Sequence, residues 1–227
     1  MTHIHGTQAL LHAGVPLNEA TGAVVLLHGR GASADDILNL SFRFGLPGVA
    51  YLAPQAEGSR WYPQTFLAPQ AEGSRWYPQT FLAPREQNEP YLSSALQRVR
   101  EIVTELEEAG VPAERIAIGG FSQGACLSTE FVATYPRRYA AVLAFTGGLV
   151  GPPGSDLSHA GDLAGTPVFL SNGDADPFIP WRRTLETAEQ LRAMGASVEM
   201  QQYPGRPHTI TGDEMQRAKA LLEKALR

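Results

Sequence analysis

Cysteine, long apolar runs and clusters of basic residues are all scarce in this chain. Its single cysteine, Cys126, excludes an internal disulfide and favours a reducing compartment. No stretch reaches the roughly 18 apolar residues that a membrane-spanning helix needs. The first residues, MTHIHGTQALLHAG, lack the basic start and apolar run of a signal peptide. These absences predict a cytoplasmic protein without a membrane span.

Positive charge is also short. The 227 residues carry 18 Lys and Arg against 23 Asp and Glu, a formal net charge of −5. Nucleic acid and anionic membrane surfaces would repel such a chain on average, so we expect neither as a partner. The 43% of hydrophobic and 18% of charged residues are typical of a globular protein, and the length suits one domain.

Short apolar runs alternate with helical patterns along the chain. The runs predict strands at 22–29, 48–54, 115–121, 140–148, 166–174 and, near a sheet edge, 196–205. Helical spacing predicts helices at 33–44, 88–108, 122–135, 181–194 and after Thr211, with Ser33 and Thr211 as N-caps. This alternation predicts a single α/β domain, a mainly parallel sheet with helices on both faces. Its functional loops should follow the carboxyl ends of the strands.

One loop contains an exact repeat. Residues 52–66, LAPQAEGSRWYPQTF, recur unchanged as residues 67–81. Two copies of 15 residues are too few and too short for a solenoid, so they indicate a tandem duplication inside an older frame. The insertion lies between the predicted strand 48–54 and the predicted helix 88–108, and makes that connection far longer than usual.

Gly120-Phe121-Ser122-Gln123-Gly124 matches G-x-S-x-G between a predicted strand and a predicted helix. Glycines two residues either side of the serine permit a tight strand-to-helix turn that exposes the hydroxyl. The helix start adds N–H groups and a positive dipole end that favour an oxyanion. We interpret Ser122 as a nucleophile; the alternative is a Gly-Ser turn that only caps a helix.

A serine hydroxyl needs a base to take its proton as it attacks. His208 lies between the last predicted strand and the last helix, where the order Ser…Asp…His puts the base. The acid is expected after the preceding strand, where SNGDADPFIP offers Asp174 and Asp176. Asp174, which follows Gly173, is the better candidate for organising the turn.

Two backbone N–H groups are expected to stabilise the oxyanion of the tetrahedral intermediate. One belongs to Gln123, the residue after the nucleophile. The other lies in HGRGA, residues 28–32, where Arg30 is the candidate. Each such donor typically contributes about 3 kcal/mol to transition-state stabilisation. The alternative for HGRGA is a flexible connector.

LLHGRGA (26–32), the APQ…WYP segment, GFSQGA (120–125), NGDADPFIP (172–180) and the histidine of YPGRPH (203–208) together resemble the phospholipase/carboxylesterase branch of the α/β-hydrolases. This branch includes small bacterial carboxylesterases and acyl-protein thioesterases. The resemblance covers most of the chain and implies an α/β-hydrolase fold. It implies a catalytic triad of Ser122, Asp176 and His208, with an oxyanion hole from the N–H groups of Arg30 and Gln123. Ala32 stands where the family usually has Asp, which puts the local loop geometry in question.

The resemblance implies a serine carboxylesterase for short to medium acyl esters, which needs no metal or cofactor and forms a homodimer as many members do. Two alternatives stay open: an acyl thioesterase or lysophospholipase of the same family, and a non-catalytic hydrolase-fold module that binds small molecules. The candidate substrate-binding residues are aromatic: Trp61, Tyr62, Trp76, Tyr77, Phe121 and Phe178.

The extra copy of the repeat is expected to affect the substrate. In relatives, the loop that carries the aromatic pair helps to shape the acyl pocket. Ordering 15 more residues costs on the order of 15–30 kcal/mol of backbone entropy, so an ordered copy must bury its aromatic rings. Our hypothesis is that the copy forms a lid or rim beside the site, or an intersubunit contact, and changes acyl-chain preference. The alternative is a passive insertion.

Overall fold

The computed structural model describes residues 4–57 and 80–227. Residues 58–79, which include most of the repeat, lie outside this part. The strands are β1 (Leu10–Gly14), β2 (Gly22–Leu27), β3 (Val49–Pro54), β4 (Ile116–Phe121), β5 (Ala141–Phe145), β6 (Pro167–Gly173) and β7 (Ser197–Tyr203). The helices are α1 (Ala34–Leu38), α2 (Leu40–Phe44), α3 (Tyr91–Glu108), α4 (Gln123–Thr134), α5 (Trp181–Ala193) and α6 (Gly212–Ala225).

The seven strands form one sheet in the order β1-β3-β2-β4-β5-β6-β7. β1 pairs antiparallel with β3, and every other pair of neighbours is parallel. The predicted α/β class, with a mainly parallel sheet and β7 at its edge, is confirmed. The carboxyl ends of β2, β4 and β6 therefore lie at one edge of the sheet, together with the loops that follow them.

Helices cover both faces of the sheet, which explains why its strands are continuous apolar runs. In β2, Val25 and Leu27 pack in one buried cluster with side chains of α3 and α4. Their neighbours Val24 and Leu26 pack in a second cluster with side chains of α1, α2 and α6. Successive residues of a strand point to opposite faces, so both halves of the core meet at the central strands.

Both predicted N-caps are confirmed. Ser33 forms a capping box with Asp36 at the start of α1, and Thr211 forms one with Glu214 at the start of α6. The single helix predicted over 33–44 is wrong, because two short helices meet at Asn39. The Asn39 side chain donates to the carbonyl of Asp35 at 3.1 Å, a local bond that competes with a regular helix.

β1 has no counterpart among the predicted strands. It has only five residues, two of them exposed and none fully buried, and ends at Gly14, whose φ is 81°. Its pairing with β3 joins residues about 40 positions apart in the chain, such as Leu10 with Pro54. Such short edge strands depend on a distant partner and leave a weak local pattern.

Within the described ranges, no helix is long and apolar enough to cross a lipid bilayer.

Candidate active site

Ser122 stands on a sharp turn between β4 and α4, with φ 55° and ψ −118°. A positive φ is unfavourable for a residue with a side chain, so the surrounding contacts must hold it. Its N–H donates to the carbonyl of Phe145 at 3.0 Å, and its carbonyl accepts the N–H of Cys126 at 3.0 Å. The turn therefore anchors Ser122 to β5 on one side and to the first turn of α4 on the other.

The glycines on either side of Ser122 are required by close packing. A Cβ at Gly120 would lie 2.5 Å from the carbonyl oxygen of Leu27, and one at Gly124 would lie 1.9 Å from the same oxygen. Both distances are too short for any side chain. β2 and the start of α4 can approach each other this closely only because both residues are glycines, and the turn depends on that approach.

His208 contacts both Ser122 and Asp176. Its Nε2 lies 2.8 Å from Ser122 Oγ, and its Nδ1 lies 2.7 Å from Asp176 Oδ2. An ionised carboxylate only accepts hydrogen bonds, so Nδ1 carries the proton and Nε2 accepts from the serine hydroxyl. The Asp176 side chain is fully buried, and that of His208 is 19% exposed. The structure thus brings together the three residues predicted as the triad.

The loop after β6 uses its two aspartates differently. Asp176 Oδ1 accepts the backbone N–H groups of Phe178 and Ile179, both at 2.9 Å, which orients Oδ2 toward His208. Asp174 Oδ1 accepts the N–H of Gly205 at 2.7 Å. Asp174 therefore ties its own loop to the loop that carries His208, a longer-range contact than the local turn predicted for it.

Two of the six predicted substrate-binding aromatics contact the histidine. The ring centroids of Phe121 and Phe178 lie 4.8 and 4.9 Å from that of His208. Phe178 is 64% exposed, so its ring covers the imidazole at the surface. The other four, Trp61, Tyr62, Trp76 and Tyr77, lie outside the described residues.

The HGRGA loop also lies beside Ser122. A Cβ built on Gly29, which precedes Arg30, would be 3.4 Å from Ser122 Cβ. Gln123 begins α4 and is buried. The structure therefore places the predicted oxyanion segments, one after β2 and one at the start of α4, next to the serine. The positive end of the α4 dipole favours negative charge at this position.

His28 fixes the HGRGA loop through hydrogen bonds of its imidazole ring. Its Nδ1 bonds the carbonyl of Gly29 at 2.8 Å, and its Nε2 accepts the N–H of Ala56 at 3.1 Å. Burial lowers the pKa of His28 to about 4, so the ring is neutral at physiological pH. The peptide unit is planar, so fixing the Gly29 carbonyl also fixes the direction of the Arg30 N–H.

Other contacts order this loop where Ala32 replaces the usual Asp. The N–H of Ala32 donates to the carbonyl of Gly29 at 3.2 Å. The N–H of Ala34 donates to the Gln55 side chain at 2.8 Å. Together with the Ser33 cap, these bonds define a compact turn without the carboxylate.

A cavity of about 290 Å³ lies beside the histidine. Its walls are mostly apolar and come from His28, Gly29, Ala32, Asp36, Ile37, Leu40, Phe121, His208, Thr209 and Ile210. A larger cavity of about 640 Å³ is lined by residues of 84–86, 133–134 and 150–160 and by none of the three triad candidates. Of these two cavities, the smaller is the one that His208 lines. In the described part of the chain, no three His, Cys, Asp or Glu residues cluster as metal ligands would.

A seven-stranded, mainly parallel sheet with helices on both faces and a serine on the turn after a central strand is the α/β-hydrolase fold. The chain belongs to the phospholipase/carboxylesterase family, whose model matches residues 14–226. The family resemblance in the sequence is therefore confirmed, and the family is one of hydrolases.

Individual relatives agree. A crystal structure of a phospholipase/carboxylesterase from Dyadobacter fermentans is 43% identical, with a TM-score of 0.85 over 96% of this chain and 97% of that one. Acyl-protein thioesterase 1 of Gibberella zeae is 31% identical over 52% of each chain, so the match spans about half of that relative. Acyl-protein thioesterase 1 of Cryptococcus neoformans is 27% identical over 96% of this chain and 99% of its own.

Sequence reasoning missed several polar residues that support the site. His28 appeared only as part of a glycine-rich loop, although its position before Gly29 is a usable signal. Arg206 gave no signal, because its side-chain partners Thr146 and Glu214 lie far away in the chain or on the next helix.

Proposed function

We propose that the protein is a serine carboxylesterase that hydrolyses short to medium acyl esters through an acyl-enzyme on Ser122. The observation that carries the proposal is the continuous series of hydrogen bonds from Ser122 Oγ to His208 at 2.8 Å and from His208 to Asp176 at 2.7 Å. This arrangement suits general-base activation of a serine hydroxyl.

In the first half of the reaction, His208 Nε2 takes the proton of Ser122 Oγ as the oxygen attacks the ester carbonyl. The N–H groups of Arg30 and Gln123 stabilise the resulting oxyanion. Asp176 stabilises the imidazolium through Nδ1–H. His208 then gives its proton to the alkoxy oxygen, the C–O bond breaks, and the alcohol leaves an acyl group on Ser122.

In the second half, His208 Nε2 takes a proton from water as the water attacks the acyl-enzyme. The second oxyanion forms in the same position and collapses. Ser122 recovers its proton from His208, and the carboxylic acid leaves.

The cavity beside His208 supports a substrate of modest size. Its volume of about 290 Å³ and its walls of Ile37, Leu40 and Ile210 suit a short apolar group. A thioester is the second candidate substrate, because relatives of this chain are acyl-protein thioesterases. The same hydrogen-bonded groups suit a thioester, because a thiolate, whose conjugate thiol has a pKa of about 8.5, leaves more readily than an alkoxide.

The test compares hydrolysis of p-nitrophenyl butyrate by the wild type and by Ser122→Ala, both checked for folding by circular dichroism. We expect the variant to lose all but a background rate. The residual rate in a serine protease without its nucleophile is about 10³–10⁴ above water, far below the full reaction. A series of esters and matched thioesters of increasing acyl length then separates the two substrate classes.

A rate that Ser122→Ala leaves unchanged would reject Ser122 as nucleophile. Folded wild type that neither hydrolyses esters and thioesters nor reacts with a fluorophosphonate would favour the non-catalytic binding module instead.

A further inference from the structure

Arg206 is a buried cation two residues before His208. The residue is 5% exposed and belongs to the loop between β7 and α6, which has no regular secondary structure of its own. A buried charge is costly unless hydrogen bonds and an opposite charge compensate it. Specific hydrogen bonds and an ion pair must therefore stabilise the arginine at this place.

The guanidinium joins three separate segments. Nη1 lies 3.2 Å from Glu214 Oε2 in the first turn of α6 and also donates to the carbonyl of Thr209, the residue after His208. Nη2 donates to Thr146 Oγ1 at 2.7 Å. One planar group thus connects the histidine loop, the helix that follows it and the end of β5.

Thr146 lies next to the residue of β5 that contacts the nucleophile. It has a positive φ of 59°, and its N–H donates to the carbonyl of Ser171 at 2.8 Å. The preceding residue, Phe145, accepts the N–H of Ser122. The contact between Arg206 and Thr146 therefore relates the loop of His208 to the strand that holds Ser122.

The main chain of the loop is held as tightly as the side chain. A Cβ at Gly173 would lie 2.4 Å from the Arg206 carbonyl oxygen, so β6 packs directly against the backbone. Glu214 Oε2 accepts the N–H of Thr211 at 2.7 Å as well as the guanidinium. The same carboxylate caps α6 and pairs with Arg206.

Stability alone does not account for this ion pair. Replacing a buried ion pair by apolar residues of similar volume is often neutral or stabilising. Directional hydrogen bonds do what apolar packing cannot, since a fork of fixed geometry sets the orientation of a loop. Catalysis is sensitive to that orientation, because a displacement of about 1 Å can cost about 100-fold in rate.

We propose that Arg206 is a positioning residue: held by Glu214 and Thr146, its guanidinium keeps His208 Nε2 within hydrogen-bonding distance of Ser122 Oγ. The proposal rests on the function proposed above, and it assigns Arg206 no contact with the substrate.

The main test is the double variant Arg206→Met with Glu214→Gln. It leaves no unpaired buried charge, and glutamine retains the capping box with Thr211. Active sites are counted by fluorophosphonate titration, and kcat on p-nitrophenyl butyrate is expressed per labelled site. We expect kcat to fall about 10- to 100-fold with KM within about threefold. A purely structural role would lower the number of labelled sites and leave kcat per site unchanged.

The control is Arg98→Met, which removes another buried arginine that pairs with Glu101 and Glu105 on α3. It should leave kcat per site within about twofold of the wild type, since a change remote from the triad removes no transition-state interaction. Arg206→Lys, which keeps the charge but not the fork, should recover only part of the loss. The proposal is overturned if the double variant keeps kcat per site within about twofold of the wild type.

A second pair of variants decides the matter if the double variant does not fold. Thr146→Val removes the acceptor of Nη2, and Thr146→Ser keeps it. We expect only the valine variant to lose kcat, and equal rates would overturn the proposal. The NMR resonance of the His208 Nδ1–H is an independent readout, expected to move in Thr146→Val and not in Thr146→Ser. This signal separates a failure of the positioning role from a failure of the esterase function, which wild-type activity tests.

Discussion

Ser122 holds a backbone conformation that costs a non-glycine residue about 1–3 kcal/mol. Bonds to Phe145 and Cys126 hold its main chain, and Oγ lies 2.8 Å from His208. The cost is therefore offset by contacts that also point the hydroxyl at the base. A turn with ordinary backbone dihedral angles would not point the Ser122 hydroxyl at His208.

Asp176 and Asp174 lie two residues apart and have different acceptors. Asp176 accepts two N–H groups on Oδ1 and the His208 Nδ1–H on Oδ2. We expect Asp176→Asn to lower kcat about 10⁴-fold, as in other triads, because an amide nitrogen facing His208 favours the wrong tautomer. The measurement is kcat on p-nitrophenyl butyrate, corrected for folded protein.

Asp174→Asn is the matched control. The amide oxygen of asparagine still accepts the N–H of Gly205, so kcat should stay within about threefold of the wild type. A loss in Asp174→Asn as large as in Asp176→Asn would mean that the loop, rather than the carboxylate on His208, carries the effect.

The ends of β2 and β3 are joined by one imidazole. His28 bonds the carbonyl of Gly29 after β2 and the N–H of Ala56 after β3. A neutral ring satisfies both contacts, whereas a protonated Nε2 would face another donor. The structure of the loop after β2 thus depends on His28 remaining neutral.

The pKa of His28 makes stability depend on pH. Burial lowers it from 6.5 to about 4, so between these values the unfolded chain binds more protons than the folded one. The stability that His28 contributes as a neutral ring is fully present above pH 6.5. As the pH falls toward 4, the free energy of unfolding decreases by about 3 kcal/mol in total. Urea unfolding at about pH 7 and about pH 4.5 measures the change.

His28→Gln removes this titration and leaves the other ionisable groups in place. We expect its free energy of unfolding to fall less over the same pH range than that of the wild type. Only the difference in pH dependence matters, since the variant also loses hydrogen bonds and is less stable throughout. Parallel pH dependences would contradict the assignment of the shift to His28.

Elements with a strong local pattern were predicted, and those that depend on distant partners were not. The turn at Ser122 follows from two glycines within five residues, and the strands around it from continuous apolar runs. Arg206 bonds Thr146 from 60 positions away, and the Ser94 hydroxyl accepts the backbone N–H of the fully buried His5 from 89 positions away. A single sequence contains no local sign of such pairs, since each residue reads as an ordinary polar side chain.

At the scale of the whole molecule, the two copies of the repeat contribute different contacts to the fold. Leu52 and Pro54 of the first copy belong to β3 and pair with β1. Phe81 of the second copy is buried, its carbonyl accepts the N–H of Gly151 at 2.8 Å, and the guanidinium of Arg183 lies 5.7 Å from its ring. The fold thus uses the beginning of one copy and the end of the other. A single copy contains both.

Removing one copy is an unambiguous experiment, because deleting any 15 consecutive residues within 52–84 yields the same protein. The deletion keeps residues equivalent to Leu52, Pro54 and Phe81, and shortening this loop by one copy changes its closure entropy by only about 0.5 kcal/mol. We therefore expect a folded enzyme with Ser122-dependent activity. The prediction tested is that its preference among p-nitrophenyl esters of increasing acyl length, or its oligomeric state by light scattering, differs from that of the full chain.

A control of full length distinguishes the aromatic rings from the added length. Trp76→Ala with Tyr77→Ala keeps 227 residues and leaves one Trp–Tyr pair, as the deletion does. If the extra rings set acyl preference, the double variant and the deletion should shift it in the same direction, because both remove the same apolar surface. If length alone matters, only the deletion should shift it. Identical acyl preference and oligomeric state in all three proteins would show that the second copy is a passive insertion and that one copy is sufficient for the site.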